Sequence, residues 1–111
     1  MKVSSLENTI ESEVSHNARI KKKLLVSNGE VSHLTNFSRA IFPPGEIAGA
    51  HSHSDMTEIF LVESGEGVFL IDEKSVPLKA GTCVTVTPNE VHELRNTGSD
   101  QLIVLYFGIE T

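Results

Sequence analysis

The chain has 111 residues, is 39% apolar and carries a formal net charge of −6, which fits one globular domain with a single core. The negative charge, the 5% aromatic content and the absence of tryptophan argue against a nucleic-acid partner, whether held by phosphates or by stacked bases. One cysteine, Cys83, leaves no intrachain disulfide, and no stretch approaches the roughly 20 apolar residues of a membrane helix. No membrane partner is therefore expected, and a reducing cytoplasm is the expected location.

Residues 1–16 differ from the rest. Val3, Leu6, Ile10 and Val14 recur at helical spacing, and Ser4 followed by Glu7 has the form of a capping box. A short helix or irregular arm is expected there, with the main domain running over 17–111. The basic run Lys21, Lys22 and Lys23 reads as a solvated strand face or edge.

Beyond Asn17 the chain alternates between turn signals and short segments rich in Val, Ile, Thr and Phe. The signals include Pro43-Pro44-Gly45, Ser64-Gly65-Glu66-Gly67, Ala80-Gly81, Pro88-Asn89-Glu90 and Asn96-Thr97-Gly98. Strands are expected near 58–63, 68–72, 82–87 and 102–107. Punctuation this frequent predicts an all-β sandwich or barrel. On strand 82–87, Cys83 is expected as a buried structural thiol. In the last strand Leu102, Val104 and Tyr106 share one side, and Ile103, Leu105 and Phe107 the other. Both faces are apolar, so one should fill the barrel and the other should be covered by the N-terminal arm or by a partner subunit, which suggests a homodimer.

Four residues have metal-ligating side chains at suggestive positions. His51 and His53 are two apart, which on a strand puts both rings on one face with Cα atoms roughly 6.5 Å apart. Glu58 follows after a short loop, and a returning hairpin could bring its carboxylate back to the rings. His92 lies on a later strand after the turn at Pro88. If it points inward, so do Leu94 and Asn96, while Glu93 and Arg95 point out, as a half-buried strand requires. Imidazole and carboxylate suit divalent first-row ions, and the lack of a thiolate argues against a closed structural zinc site. Three histidines and one glutamate would leave two octahedral positions open.

The segment Gly45–Gly65 resembles the first motif of the cupin superfamily: Gly, five residues, His-X-His, four residues, Glu, six residues, Gly. Gly81–Asn96 resembles the second, with Gly81, His92 and Asn96 in register. Thr87 and Asn89 stand where that motif has Pro and Gly. Asn tolerates a left-handed backbone, so Asn89 can replace the turn glycine. The resemblance spans about residues 34–108. It implies a double-stranded β-helix, a jelly-roll barrel, and a metal held by His51, His53, Glu58 and His92.

Iron, manganese, nickel and zinc all tolerate that ligand set. Similar single-domain cupins include dioxygenases, isomerases, decarboxylases and lyases, so the resemblance implies a small-molecule metalloenzyme. The alternative is a module that binds or senses a small ligand without turnover. Arg39 and Tyr106 are candidate substrate-contacting residues. Arg39 could project into the barrel to pair with an anion, or lie outside with Phe37 and Ile41. Tyr106 could offer its hydroxyl to the pocket, or be a core tyrosine. His16 and His33 are expected at the surface.

Overall fold

The computed structural model describes residues 1–111. Ten strands account for all the regular structure: β1 (Glu11–Val14), β2 (Asn17–Val26), β3 (Leu34–Phe42), β4 (Ile47–His51), β5 (Met56–Ser64), β6 (Gly67–Ile71), β7 (Lys74–Leu78), β8 (Cys83–Val86), β9 (His92–Asn96) and β10 (Leu102–Glu110). They form a six-stranded sheet in the order β1-β2-β3-β10-β5-β8 and a four-stranded sheet in the order β4-β9-β6-β7. Every pairing is antiparallel. There is no helix, hence none long and apolar enough to cross a membrane.

The period-2 patterning explains how the sheets close on each other. Ser38, Ala40 and Phe42 of β3, Glu58, Phe60 and Val62 of β5, Val84 and Val86 of β8, and Leu102 and Val104 of β10 all face inward and are buried. From the smaller sheet, Phe69, Leu78 and Leu94 meet them. The Phe60 and Phe69 rings pack edge to face across the gap, with centroids 4.9 Å apart. Pro77, which cannot donate to a ladder, lies on β7, an edge strand.

The expected turn chemistry is visible in the backbone. Gly45, Gly65 and Gly81 all have positive φ, and Asn89 adopts φ +71° in place of the motif glycine. Glu90 Oε1 accepts hydrogen bonds from the Thr87 amide and hydroxyl, both 2.7 Å, and so closes the turn that delivers His92. Asn96 is structural. Its Nδ2 donates to the Phe42 and Asp100 carbonyls, and its Oδ1 accepts from the Gly98 amide.

One expectation is decided between its two alternatives, and one is overturned. Residues 1–16 form no helix: a turn occupies 6–8, and Glu11–Val14 join the edge of β2, with Glu11 opposite Lys23 and Glu13 opposite Lys21. Val3 and Ile10 stay exposed while Val14 packs against the core, so the stripe is not buried as one helical face. An isolated helix this short is marginal in water, whereas the β2 edge offers unpaired backbone groups and a row of lysines opposite the glutamates. Ser4 caps nothing and donates to the Leu25 carbonyl instead. Cys83 is exposed rather than buried, because Val84 and Val86 take the inward positions of β8.

Gly65 shows how tightly the turns constrain the fold. It combines φ +93° with a backbone so close that an added Cβ would press into the Gln101 carbonyl and lie 2.8 Å from Leu102 Cα. Gly65→Ala should therefore destabilise the chain by about 2 kcal/mol or more, read as a lower urea midpoint at unchanged slope.

Candidate metal centre

The four motif side chains converge where the two sheets meet at one end of the barrel. His51 ends β4 and is paired with His92, the first residue of β9, in the smaller sheet. Glu58 comes from β5 in the larger sheet. His53 sits past the end of β4, in a loop whose backbone is pinned by a 2.7 Å hydrogen bond from the Asn89 amide to the His53 carbonyl. The His-X-His pair is thus split between a strand end and a loop, yet the rings still approach, with centroids 4.9 Å apart.

One potential ligand atom from each of the four residues lies within 4.8 Å of the others. Glu58 Oε1 is 3.2 Å from His92 Nε2 and 3.3 Å from His53 Nε2. Adjacent ligands on bonds of about 2.1 Å sit roughly 3 Å apart, so this spacing fits one ion. The hydrogen-bond pattern points the same way. Glu58 Oε1 and His92 Nε2 are buried, and although they approach each other neither makes a hydrogen bond. Such atoms cost about 1–3 kcal/mol each when left unpaired, and a cation would satisfy both.

The rings are also oriented from behind. His51 Nδ1 lies 2.8 Å from the Gly49 carbonyl and His92 Nδ1 2.9 Å from the Glu90 carbonyl. A carbonyl has no proton to give, so each Nδ1 carries one and each Nε2 keeps its lone pair for the centre. Burial of the His92 ring opposes its protonation. The Glu58 carboxylate and the Glu90 carbonyl and carboxylate outweigh that, and they hold its pKa above the ordinary imidazole value. The site therefore attracts positive charge even as a bare set of side chains.

Three spaces are each lined by two or more of the four residues. Beneath the cluster lies a chamber of about 100 Å³ bounded by His51, Glu58 and His92 and otherwise largely apolar, including Phe42, Phe60, Phe69 and Leu94. That is several times the ~10–15 Å³ that one water needs. A wider mouth of about 590 Å³ opens past His51, His53, Lys22 and His16. A second opening, of about 390 Å³, runs past His53, Asp55, Glu58 and Glu110.

Tyr106 borders all three spaces, its ring stacked on Phe60 at 5.4 Å. Burial first, with Glu58's charge, raises its pKa above the usual phenol value, and Ser38 offsets this in part. Its hydroxyl is therefore protonated at neutral pH.

Arg39 is turned away. The inward positions of β3 belong to Ser38, Ala40 and Phe42, so Arg39 lies on the outer face of the larger sheet. There it forms a two-pronged pair with Glu63, Nε to Oε1 at 3.0 Å and Nη2 to Oε2 at 2.7 Å. Hydrogen bonding to Arg39 holds the Glu63 carboxyl below its ordinary pKa. His33 is exposed, as expected, and His16 is exposed in the β1–β2 turn beside the mouth. Lys22 is the residue the sequence reading missed. Its signal was parity: Ile20 is completely buried, so Lys22 two residues on faces the same side.

Residues 38–108 match the Cupin domain family, and the chain belongs to it. Over 66 residues, 60% of its length, the chain is 41% identical to an oxalate-binding protein of Thermotoga maritima. It spans about half, 54%, of that relative. The crystal structure of a predicted oxalate decarboxylase from Thermotoga maritima superposes with a TM-score of 0.91 at 29% identity, covering 99% of this chain and 100% of that one. An RmlC-like cupin from Shewanella frigidimarina shares the fold at TM-score 0.81 and 20% identity, over 97% of this chain and 89% of that one.

Purified chain supplied with iron, manganese, nickel or zinc should take up about one ion. His51→Ala and Glu58→Ala should each lose it, as read by elemental analysis of desalted protein. Full loading of both variants would remove the assignment.

Proposed function

We propose that this chain is a small-molecule metalloprotein that takes a small carboxylate, with oxalate as the first candidate, on one divalent first-row ion held by His51, His53, Glu58 and His92. The observation that carries this is the pair of buried, unpartnered atoms, Glu58 Oε1 and His92 Nε2, facing each other above a small apolar chamber. The names of the Thermotoga relatives supply the ligand class.

A bound divalent ion would supply Lewis acidity to a carboxylate oxygen. The chain's own residues do the rest. The carbonyls of Gly49 and Glu90 hold the rings in one tautomer, the apolar chamber excludes bulk water, and Tyr106 presents a protonated hydroxyl at the edge of the site. This supports an enzyme of the decarboxylase, lyase, isomerase or dioxygenase kind.

The alternative reading is capture without turnover. One observation favours it: apart from the four proposed ligands, Tyr106 is the only polar side chain on the inner chamber. A proton relay would have to rest on that residue alone. The single exposed thiol fits a reducing cytoplasm.

We also propose that two copies pair through the outer face of the larger sheet. Phe37, Ile41, Leu61, Ile103, Leu105 and Phe107 lie there, on the opposite parity from the core, and Leu61 is 40% exposed. The N-terminal arm makes no hydrogen bond to them. Its polar contacts run to Leu25, Lys23 and Glu30 at the β2 edge. Wild-type chain should therefore have twice its sequence mass by light scattering, and Leu61→Glu should reduce it to one chain.

Metal-loaded protein should bind oxalate by calorimetry, and the metal-free chain should not. Release of one formate and one carbon dioxide per oxalate, with one proton taken up, would establish a decarboxylase. Stable binding with no product establishes the capture reading. Equal affinity with and without metal would overturn both.

A further inference from the structure

The three consecutive lysines of β2 have different fates. Lys21 reaches Glu13 on β1 at 3.5 Å, and Lys23 donates to the Leu6 carbonyl at 2.7 Å. Lys22 makes no ion pair and no side-chain hydrogen bond. It has the inward parity of Ile20, and across the ladder it faces Ala40, which is 1% exposed. It is half-buried and lines the wide mouth together with His51, His53 and Tyr106. A long aliphatic ammonium without a counterion is seldom placed on the inner face of a barrel unless something negative visits it.

The two openings beside the cluster differ in sign. The one past Asp55, Glu58 and Glu110 has three carboxylates and no lysine or arginine. The one past Lys22 has no carboxylate. An anion is therefore repelled at the first and attracted at the second, where partial burial also reduces screening. The charge count adds a further constraint. The four clustered side chains carry one negative charge with neutral imidazoles, so a divalent ion leaves +1 on them, and Lys22 brings the site to +2.

We propose that Lys22 is the specificity-determining cation of this site: it admits anions through the wide mouth and selects small dianions, such as dicarboxylates, over monoanions. This rests on the carboxylate reading above and names the residue that sets the charge class. Lys22 stands on a strand held on both sides, by β1 and by β3, so its stem is positioned by the sheet and only its head is free.

The test compares wild type with Lys22→Met, Lys22→Arg and, as a control on the opposite face of the same strand, Lys21→Met. All are metal-loaded and titrated by calorimetry with oxalate, malonate and acetate. Metal content and melting temperature are read on the same samples. Lys22→Met should keep its metal and its fold, and should lose roughly tenfold or more in affinity for oxalate and malonate with a smaller change for acetate. Lys22→Arg should restore most of the loss, and Lys21→Met should match wild type. The dianion preference of wild type should shrink as salt is raised.

If Lys22→Met binds dianions as wild type does, or loses dianion and acetate affinity equally, the Lys22 assignment fails while the carboxylate reading stands. If wild-type protein holds metal and binds no carboxylate at all, the carboxylate reading fails and Lys22's role fails with it.

Discussion

Glu58 Oε1 and His92 Nε2 lie 3.2 Å apart, buried, and neither is hydrogen-bonded. Two polar atoms left in that state work against folding, and the rest of the end of the barrel can be understood as what holds them there. Phe60 and Phe69 wall them from below, the turn at Thr87–Glu90 aims His92, and the two sheets meet so that side chains from β4, β9 and β5 converge. A single cation would turn this unfavourable arrangement into a favourable one. The fold's remaining stability must carry the site when the ion is absent.

The surroundings divide the chemistry into compartments. Below the cluster the chamber is apolar, which strengthens electrostatic interactions at its rim and leaves Tyr106 as the protic group at the edge. To the sides the openings have opposite character, one lined by acids and the other by Lys22. The hairpin β1–β2 builds the positive side. Asn17 donates to the Ile47 carbonyl and to Glu46, and Arg19 reaches Glu46 at 3.3 Å, so the larger sheet is tied to the start of β4 next to the mouth. The N-terminal residues thus serve the site by extending a sheet, although their spacing reads as helical.

The outer face of the larger sheet has a separate role. β10 lies between β3 and β5 and is apolar on both sides, so its inward set completes the core while its outward set lies on the face proposed for pairing. Arg39 and Glu63 sit on that outward side, satisfied by each other. Parity puts Arg39 outside the cavity, and the pairing satisfies its charge there.

The sequence by itself determined the all-β class, the turns and the identity of the four clustered residues. Each of these is local: glycines at positive φ, strand alternation, and motif spacing that ties His51, His53, Glu58 and His92 to particular strands and the turns beside them. The sequence could not decide what depends on which surfaces meet. The Val3–Val14 stripe had helical spacing, but the free edge of β2 offered ladder hydrogen bonds that a solitary short helix cannot match. Arg39 and Lys22 are both cations on strands next to the site. The inward parity of Ser38, Ala40 and Phe42 sent the first outside, and that of Ile20 sent the second inside. Which face of a strand is inside follows from register between strands distant in sequence, and only the closed barrel sets that register.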